Sequence, residues 1–374
     1  MAGIYIHIPF CKQACHYCDF HFSTSLKKKE EMIAALIQEI HLRKEEINET
    51  VETIYFGGGT PSVLSNAEIE QILTPIFSLF NVAENAEITL EANPDDLSVE
   101  RIRELSKSKI NRLSIGVQSF FDDDLKMVNR AHNADEAWDS LQEARKYFEN
   151  ISIDLIYGIP EMSMEKWQAN VQKALDLDIP HISSYALTVE PQTALATLIK
   201  KGKIPMPDDG VAHDHFLKLI ELLGNAGFVH YELSNFGKPN YFSKNNSAYW
   251  LGKKYVGIGP SAHSFNGENR SWNIANNSLY IQTIQKNELP NETEVLSTQD
   301  RYNEYVMTGL RTIWGVSLDK IKSDFGLDYA TYLLENAAPF LQNQQLQLEN
   351  NVLKTTIKGK FFCDGIASEL FWIN

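Results

Sequence analysis

Cys11-Lys-Gln-Ala-Cys15-His-Tyr-Cys18 sets three thiols on one short loop, with three and then two residues between them. The loop opens just after the alternating run Ile4-Tyr5-Ile6-His7-Ile8 and Pro9. Three thiolates so placed can grip three irons of a cubane, and the fourth iron then keeps an open position for a substrate or cofactor. A disulfide framework would spread its cysteines in pairs, whereas this chain of 374 residues has four cysteines with three of them in that loop. Cys363 stands alone near the far end and reads as a small buried apolar residue.

The elements that must position this loop read as repeated βα units. Strand-like runs at 4–8, 53–56, 87–91, 112–117, 151–156 and 181–186 alternate with amphipathic stretches at 27–43, 66–79, 99–106, 136–148 and 164–177. In a parallel barrel the carboxyl ends of the strands share one face, where loops build the site. Here each strand ends in a chemically loaded residue. The cysteine loop follows the first, and Gly57-Gly58-Gly59-Thr60-Pro61 the second. Glu91 closes the third with Asn93-Pro94 after it; Gln118 ends the fourth, Asp154 and Gly158 the fifth, and Tyr185-Ala186 the sixth. The glycine run can present backbone groups to a polar ligand head. Glu91 and Asp154 are either solvated caps or acceptors for ligand amines and hydroxyls. Arg130 has a planar fork that suits a carboxylate, its plainer reading being a surface salt bridge.

Further along, 208–224 reads as a helix and 230–233 as a strand, followed by a polar stretch to about Trp250. The polar segment 288–297, which holds Pro290, reads as a linker. Helices are expected at 301–313, 318–325 and 329–341, with a hairpin at 345–356. The expected fold is therefore α/β, a partial (βα)6 TIM-like barrel with a smaller, mainly helical, winged-helix-like C-terminal domain. Its parts are the barrel at 1–230, an extension packing on it at 231–290, and the C-terminal domain at 291–374.

Composition narrows the partners. A net charge of −15 disfavours nucleic acid and anionic membrane surfaces. No apolar run approaches the roughly 20 residues of a membrane span, and no basic segment leads an apolar one at the start. A cytoplasmic protein is expected.

The ordered set resembles the radical S-adenosylmethionine superfamily. It comprises Tyr5-Ile-His-Ile-Pro-Phe10 before the cysteine triplet, Gly57-Gly58-Gly59-Thr60-Pro61, Glu91-Ala-Asn-Pro94, Ile115-Gly-Val-Gln118-Ser and Asp154-Leu-Ile-Tyr-Gly158. Within that superfamily it is similar to the branch of oxygen-independent coproporphyrinogen III oxidase (HemN) and the heme chaperone HemW. The resemblance implies a 4Fe-4S cluster on Cys11, Cys15 and Cys18, with the amine and carboxylate of S-adenosylmethionine on the open iron. It further implies Gly58, Gly59 and Thr60 at the methionine end, and Glu91, Gln118, Arg130 and Asp154 for the carboxylate and ribose. Ala186 joins the cofactor-binding set, Tyr17 packs near the cluster and Tyr5 lies along the pocket wall. An electron donor is an implied partner.

Departures from the two relatives separate them. The oxidase continues to a fourth cysteine where this chain has Phe20, and it carries an extension before its first strand that a strand at Ile4 leaves no room for. Tyr185-Ala-Leu-Thr-Val-Glu190-Pro191 and Tyr231-Glu-Leu-Ser-Asn-Phe236 look like the chaperone's pattern. Asn245-Asn246-Ser-Ala-Tyr249-Trp250 corresponds to its heme-associated segment, which makes Asn246 and Tyr249 heme candidates. The histidine of that segment is replaced by Asn245, a poor iron ligand beside imidazole. His263, His21 and Tyr249 are conceivable substitutes, while His213 and His215 point to different helix faces and read as structural. Phe10, Phe20, Phe22 and Phe56 read mostly as core, although such rings also suit a flat macrocycle. The expected function is that of a heme chaperone that binds a 4Fe-4S cluster, S-adenosylmethionine and heme and passes heme to acceptor hemoproteins. The alternative is the radical oxidase that decarboxylates coproporphyrinogen III propionates.

Overall fold

The structure, a computed structural model, describes residues 2–373. Six parallel strands lie side by side in chain order: β1 (Ala2–Ile8), β2 (Val51–Gly58), β3 (Val82–Ala92), β4 (Arg112–Gln118), β5 (Asn150–Tyr157) and β6 (His181–Ala186). Their apolar runs are buried on the helix side, and helices Lys29–Leu42, Asn66–Leu79, Val99–Leu105, Ala134–Ala144 and Met164–Asp176 connect them. All of these but the first start where a short polar side chain caps their free N–H groups. The Ser65 hydroxyl accepts from the Glu68 N–H while the Glu68 carboxylate accepts from the Ser65 N–H, and Asn133 and Glu136 repeat the arrangement. The sheet wraps as an incomplete TIM-like barrel, as the alternation led us to expect.

Both edges are extended. β7 (Val229–Glu232) and β8 (Asn235–Gly237) continue beyond β6 in antiparallel sense. On the other side β9 (Lys254–Ile258) runs parallel to β1, followed by β10 (His263–Phe265), β11 (Asn269–Asn273) and β12 (Asn291–Val295). Segment 231–290 is thus hydrogen-bonded into the sheet as well as packed on it. The stretch 288–297, expected as a linker, instead carries β12, paired in register with β11 from Asn273↔Asn291 to Asn269↔Val295. Its Glu and Thr side chains suit an edge strand, which exposes charge to discourage further pairing. Several short helices escaped the periodicity reading, among them Asp122–Met127 and Lys244–Trp250.

A buried carboxylate ties the edge extension to the barrel. Glu39, fully buried on helix Lys29–Leu42, accepts from Arg43 Nε at 2.7 Å and Asn273 Nδ2 at 2.7 Å through one oxygen. Its other oxygen accepts from the Gly259 N–H at 2.7 Å and the Tyr280 hydroxyl at 2.5 Å. Four donors satisfy one buried charge, which would otherwise be costly.

The C-terminal part runs helix Thr298–Leu310, β13 (Val316–Ser317), helices Leu318–Asp324 and Leu327–Gln342, then hairpin β14 (Leu346–Glu349) and β15 (Val352–Thr355). This helix–strand–helix–helix–hairpin order is winged-helix-like. It has its own apolar cluster, including Tyr302, Val306, Leu333, Leu353 and the fully buried Cys363. It meets the sheet edge where the Ile313 N–H donates to the Tyr231 carbonyl at 3.0 Å and Lys360 Nζ donates to His230 Nδ1 at 2.8 Å. Among the described residues no helix is long and apolar enough to cross a membrane.

Removing Glu39 leaves the buried Arg43 guanidinium only Asn273 and the more exposed Glu46 as partners, and takes the acceptor from the buried Tyr280 hydroxyl. Glu39→Ala is expected to lower the unfolding free energy by about 3–5 kcal/mol in urea denaturation, the usual scale for breaking a buried pair. A loss below about 1 kcal/mol would show that the cluster does not hold the extension.

Candidate cofactor site

In a strand, side chains alternate between the two faces, so every second residue of β1–β6 looks into the barrel. At the carboxyl ends that inner row brings Gly57, Glu91, Gly116, Asp154 and Tyr185 into one bore, rising in steps through the pairings Glu91↔Ser114, Gly116↔Asp154, Asp154↔Ser183 and Ile156↔Tyr185. A cavity of about 440 Å³ opens there. It is lined by Cys11, Cys15, Tyr17, Cys18, Gly58, Gly59, Thr60, Glu91, Gln118, Arg130, Asp154 and Ala186, together with Phe20, Asn93, Ile156, Tyr185 and others. The structure therefore assembles the three cysteines and every cofactor-binding candidate except Tyr5. Tyr5 stands behind the cavity, its ring stacked on Tyr55 with centroids 6.1 Å apart.

The cysteine loop is fastened from several sides. The Cys11 N–H donates to the Ser23 carbonyl at 3.1 Å, and the His16 N–H donates to the Val128 carbonyl at 3.1 Å. Gln13 Nε2 donates to the Asn129 carbonyl at 2.9 Å and Asn129 Nδ2 returns a bond to the Ala14 carbonyl at 2.7 Å. Beside it the glycine turn is zipped to the end of β1: Gly59 N–H to the Ile8 carbonyl at 2.9 Å, and Thr60 N–H to the Phe10 carbonyl at 2.7 Å. Gly58 adopts φ +105°, and a Cβ there would sit 2.6 Å from the His7 ring, so this turn requires glycine. On β4 a register shift between Gly116 and Gln118 leaves Gln118 at φ +68°, a bulge that turns its side chain into the cavity.

The chemistry of the donors fits an iron–sulfur cluster. All three thiols are free, and two receive hydrogen bonds: Thr60 Oγ1 donates to Cys11 Sγ at 3.4 Å and Arg130 Nη1 to Cys15 Sγ at 3.3 Å. Burial pushes the Cys11 thiol up to about 11 and raises Cys18 as well, so thiolates here need a metal to hold them. Among the described residues no three His, Cys, Asp or Glu side chains converge as they would on one ion. A cubane takes one thiolate per iron and does not ask for that convergence.

The acceptors are tuned by burial. Glu91 is pushed up to about 7, mainly by desolvation, with the Tyr55 hydroxyl opposing the rise by donating to Glu91 Oε1 at 2.8 Å. Asp154 is pushed up to about 6 by the same cause, against a hydrogen bond from Ser183.

Arg130 differs from the expected open fork. Its Nη2 already donates to Asn93 Oδ1 at 2.6 Å and the Gly116 carbonyl at 2.7 Å, and Nη1 donates to Cys15. Of the guanidinium's five N–H groups two remain, one on Nη1 and the buried, unpartnered Nε–H, so the full fork is not open to a ligand carboxylate. The role of Asn93 in holding Arg130 was not anticipated. Its position two residues past Glu91, at the end of a strand, was the available signal.

The heme-candidate segment lies elsewhere. Helix Lys244–Trp250 packs on the amino end of β2, and the N–H groups of Lys244 and Asn245 donate to the Glu87 carboxylate at 3.2 Å. Glu87 lies four residues before Glu91 along β3, away from the carboxyl ends. Asn245 is 3% exposed, accepts from Thr53 Oγ1 at 3.1 Å and is bonded to the Tyr249 hydroxyl. It acts as a bolt. Neither Asn246 nor Tyr249 lines the thiol cavity. Phe10 and Phe56 are core, whereas Phe20 is 69% exposed at the cavity mouth. His215 is buried, its Nδ1 accepting from the Gly158 N–H at 3.2 Å, and His21 bonds Asn277 at 2.7 Å.

Comparison with known proteins places these features in context. The Radical SAM superfamily pattern matches residues 5–174 and the HemN C-terminal domain pattern residues 296–362. A protein of Lactococcus lactis subsp. lactis named heme chaperone HemW is 36% identical, across 95% of this chain and 93% of its own length. One of Bacillus subtilis with the same name is 35% identical, across 87% of each chain. The solved structure of coproporphyrinogen III oxidase (HemN) from Escherichia coli superposes with a TM-score of 0.85 at 24% identity, covering 99% of this chain and 90% of that one. That last likeness is one of fold.

Two outcomes follow from the geometry. Because the folded-state values of Glu91 and Asp154 lie above the ordinary ones, the fold favours their protonated forms. Their contribution to stability is complete below about pH 4 and fades as pH rises through 6 and 7. Urea midpoints of the cofactor-free protein should fall from pH 5 to pH 8, and Glu91→Gln should flatten that slope; an unchanged slope would contradict it. Asn245→Ala, which unpairs the buried Thr53 hydroxyl, should cost about 1–3 kcal/mol on unfolding. A neutral result would remove the bolt.

Proposed function

We propose a function for a chain that belongs to the radical SAM superfamily and, within it, to the family of heme chaperone HemW: it binds a 4Fe-4S cluster and S-adenosylmethionine in one cavity and delivers heme to acceptor hemoproteins. The observation that carries this reading is the single cavity that joins three free thiols to Glu91, Gln118, Arg130 and Asp154. When bound, the cluster supplies single electrons and an iron that takes the amine and carboxylate of S-adenosylmethionine.

The chain's own residues then divide the work. Cys11, Cys15 and Cys18 hold the cluster. Gly58, Gly59 and Thr60 let the methionine end approach backbone closely. Glu91, once ionised, accepts from the N–H groups of the ligand amine, and a free Arg130 N–H meets the carboxylate. Asp154 and Gln118 suit ribose hydroxyls, with Ile156 and Ala186 as the apolar wall for adenine. Tyr17 lines the cavity beside the cluster and shields it from water.

Heme is proposed from the family. Phe20, 69% exposed, and Tyr185, 44% exposed, are flat, exposed faces that line the cavity with the thiols. Asn246 and Tyr249 stand apart and would contact heme only at a second surface. The reading includes a cytoplasmic setting, an external electron donor and hemoprotein acceptors.

Anaerobic reconstitution tests the cluster. Wild type should show four irons and four sulfides per chain, a cubane's content, with brown absorbance. Cys15→Ala should lose it, and retention of a full cubane would refute the ligand set. Titration of the reconstituted protein with heme should then give a stable complex. Turnover of coproporphyrinogen III with reductant and S-adenosylmethionine would instead identify the oxidase.

A further inference from the structure

The two thiols that receive hydrogen bonds are joined by one chain of side chains. Thr60 Oγ1 donates to Cys11 Sγ at 3.4 Å, and Asn93 Nδ2 donates to Thr60 Oγ1 at 3.3 Å. Asn93 Oδ1 in turn accepts from Arg130 Nη2 at 2.6 Å, and Arg130 Nη1 reaches Cys15 Sγ at 3.3 Å. The members come from three places, the turn after β2, the end of β3 and the loop after helix Asp122–Met127. The Gly116 carbonyl, 2.7 Å from Arg130 Nη2, fixes the guanidinium plane from β4. A Cβ on residue 116 would stand 3.1 Å from that nitrogen, so the small residue makes the approach possible.

This arrangement is directional. Arg130 donates both ways, directly to Cys15 and through Asn93 and Thr60 toward Cys11, so each end of the chain presents a donor to sulfur and the cation lies at the Cys15 end. Adding one electron to a thiolate-bound cluster adds negative charge, and donors or a cation at the sulfurs stabilise the reduced form more than the oxidised one. A salt bridge to a carboxylate would have muted the guanidinium, but its three hydrogen-bond partners are a thiol, an amide and a carbonyl.

We infer that Thr60, Asn93 and Arg130 act as positioning residues that raise the reduction potential of the cluster held by Cys11, Cys15 and Cys18. This rests on the cluster reading above. The electron comes from an external one-electron reductant, and no proton moves.

The test is a redox titration of the reconstituted protein without S-adenosylmethionine, using titanium(III) citrate and following the reduced cluster by electron paramagnetic resonance. Iron and sulfide content are measured on each sample. Arg130→Gln is expected to shift the midpoint negative by a tenfold change in the reduction equilibrium, about 59 mV for one electron. Thr60→Val, which removes one hydroxyl and keeps the shape, shifts it the same way by less, and Arg130→Lys recovers part of the Gln shift. If Arg130→Gln assembles no cluster, Thr60→Val decides alone. Variants with full clusters at the wild-type midpoint overturn the inference and leave the cluster reading intact. A wild type that assembles no cluster overturns both.

Discussion

The register of six parallel strands is the constraint on which the rest depends. Side chains alternate across a strand with a period of two, so one residue of slip would turn Glu91 or Asp154 from the bore into the helix layer. The pairing holds Tyr5↔Tyr55, Glu91↔Ser114 and Asp154↔Ser183 level across the sheet. Apolar residues on the other face, such as Ile4, Ile54, Ile88, Leu113 and Ile153, secure that register by burial under the helices. Packing on the outside therefore fixes chemistry on the inside.

Inside the bore the opposing effects are burial and pairing. Desolvation raises Glu91, Asp154 and the Cys11 thiol toward their neutral forms, while Arg130 stays a cation beside them. A ligand amine that donates hydrogen bonds and a metal cluster would each favour the ionised forms of those acids. The same low dielectric makes the Thr60–Asn93–Arg130 chain matter, since a donor aimed at sulfur counts for more away from water. At the opposite end of the strands, Glu87 and Asn245 use their polar atoms to seat helix Lys244–Trp250, and the bore is closed by structure there.

Much of this was legible in the sequence for physical reasons. Runs rich in Ile and Val bounded by Gly and Pro mark buried parallel strands, so β1–β6 and the loaded residues at their ends could be read directly. β11 and β12 could not, because strands of Asn, Arg, Ser, Glu and Thr near a sheet edge have no apolar alternation to reveal them. The helix Asp122–Met127 is too short to show a period. Arg130 was recognisable as a site residue, but not that three of its protons are already engaged, because Asn93 and the Gly116 carbonyl reach it only through the fold. Asn245 read as a failed ligand; its contact with Thr53, 192 residues away in the chain, makes it a structural bolt.

The central claim is that one cavity holds a cluster on three cysteines and leaves an iron for a ligand held by Glu91, Gln118, Arg130 and Asp154. Crystals of the anaerobically reconstituted protein grown with S-adenosylmethionine, measured at the iron edge, address it most directly. The expected result is anomalous iron density bound by Cys11, Cys15 and Cys18, with ligand density between the fourth iron and that acceptor set. Iron bound away from the loop, a protein side chain on the fourth iron, or ligand density outside the cavity would contradict it.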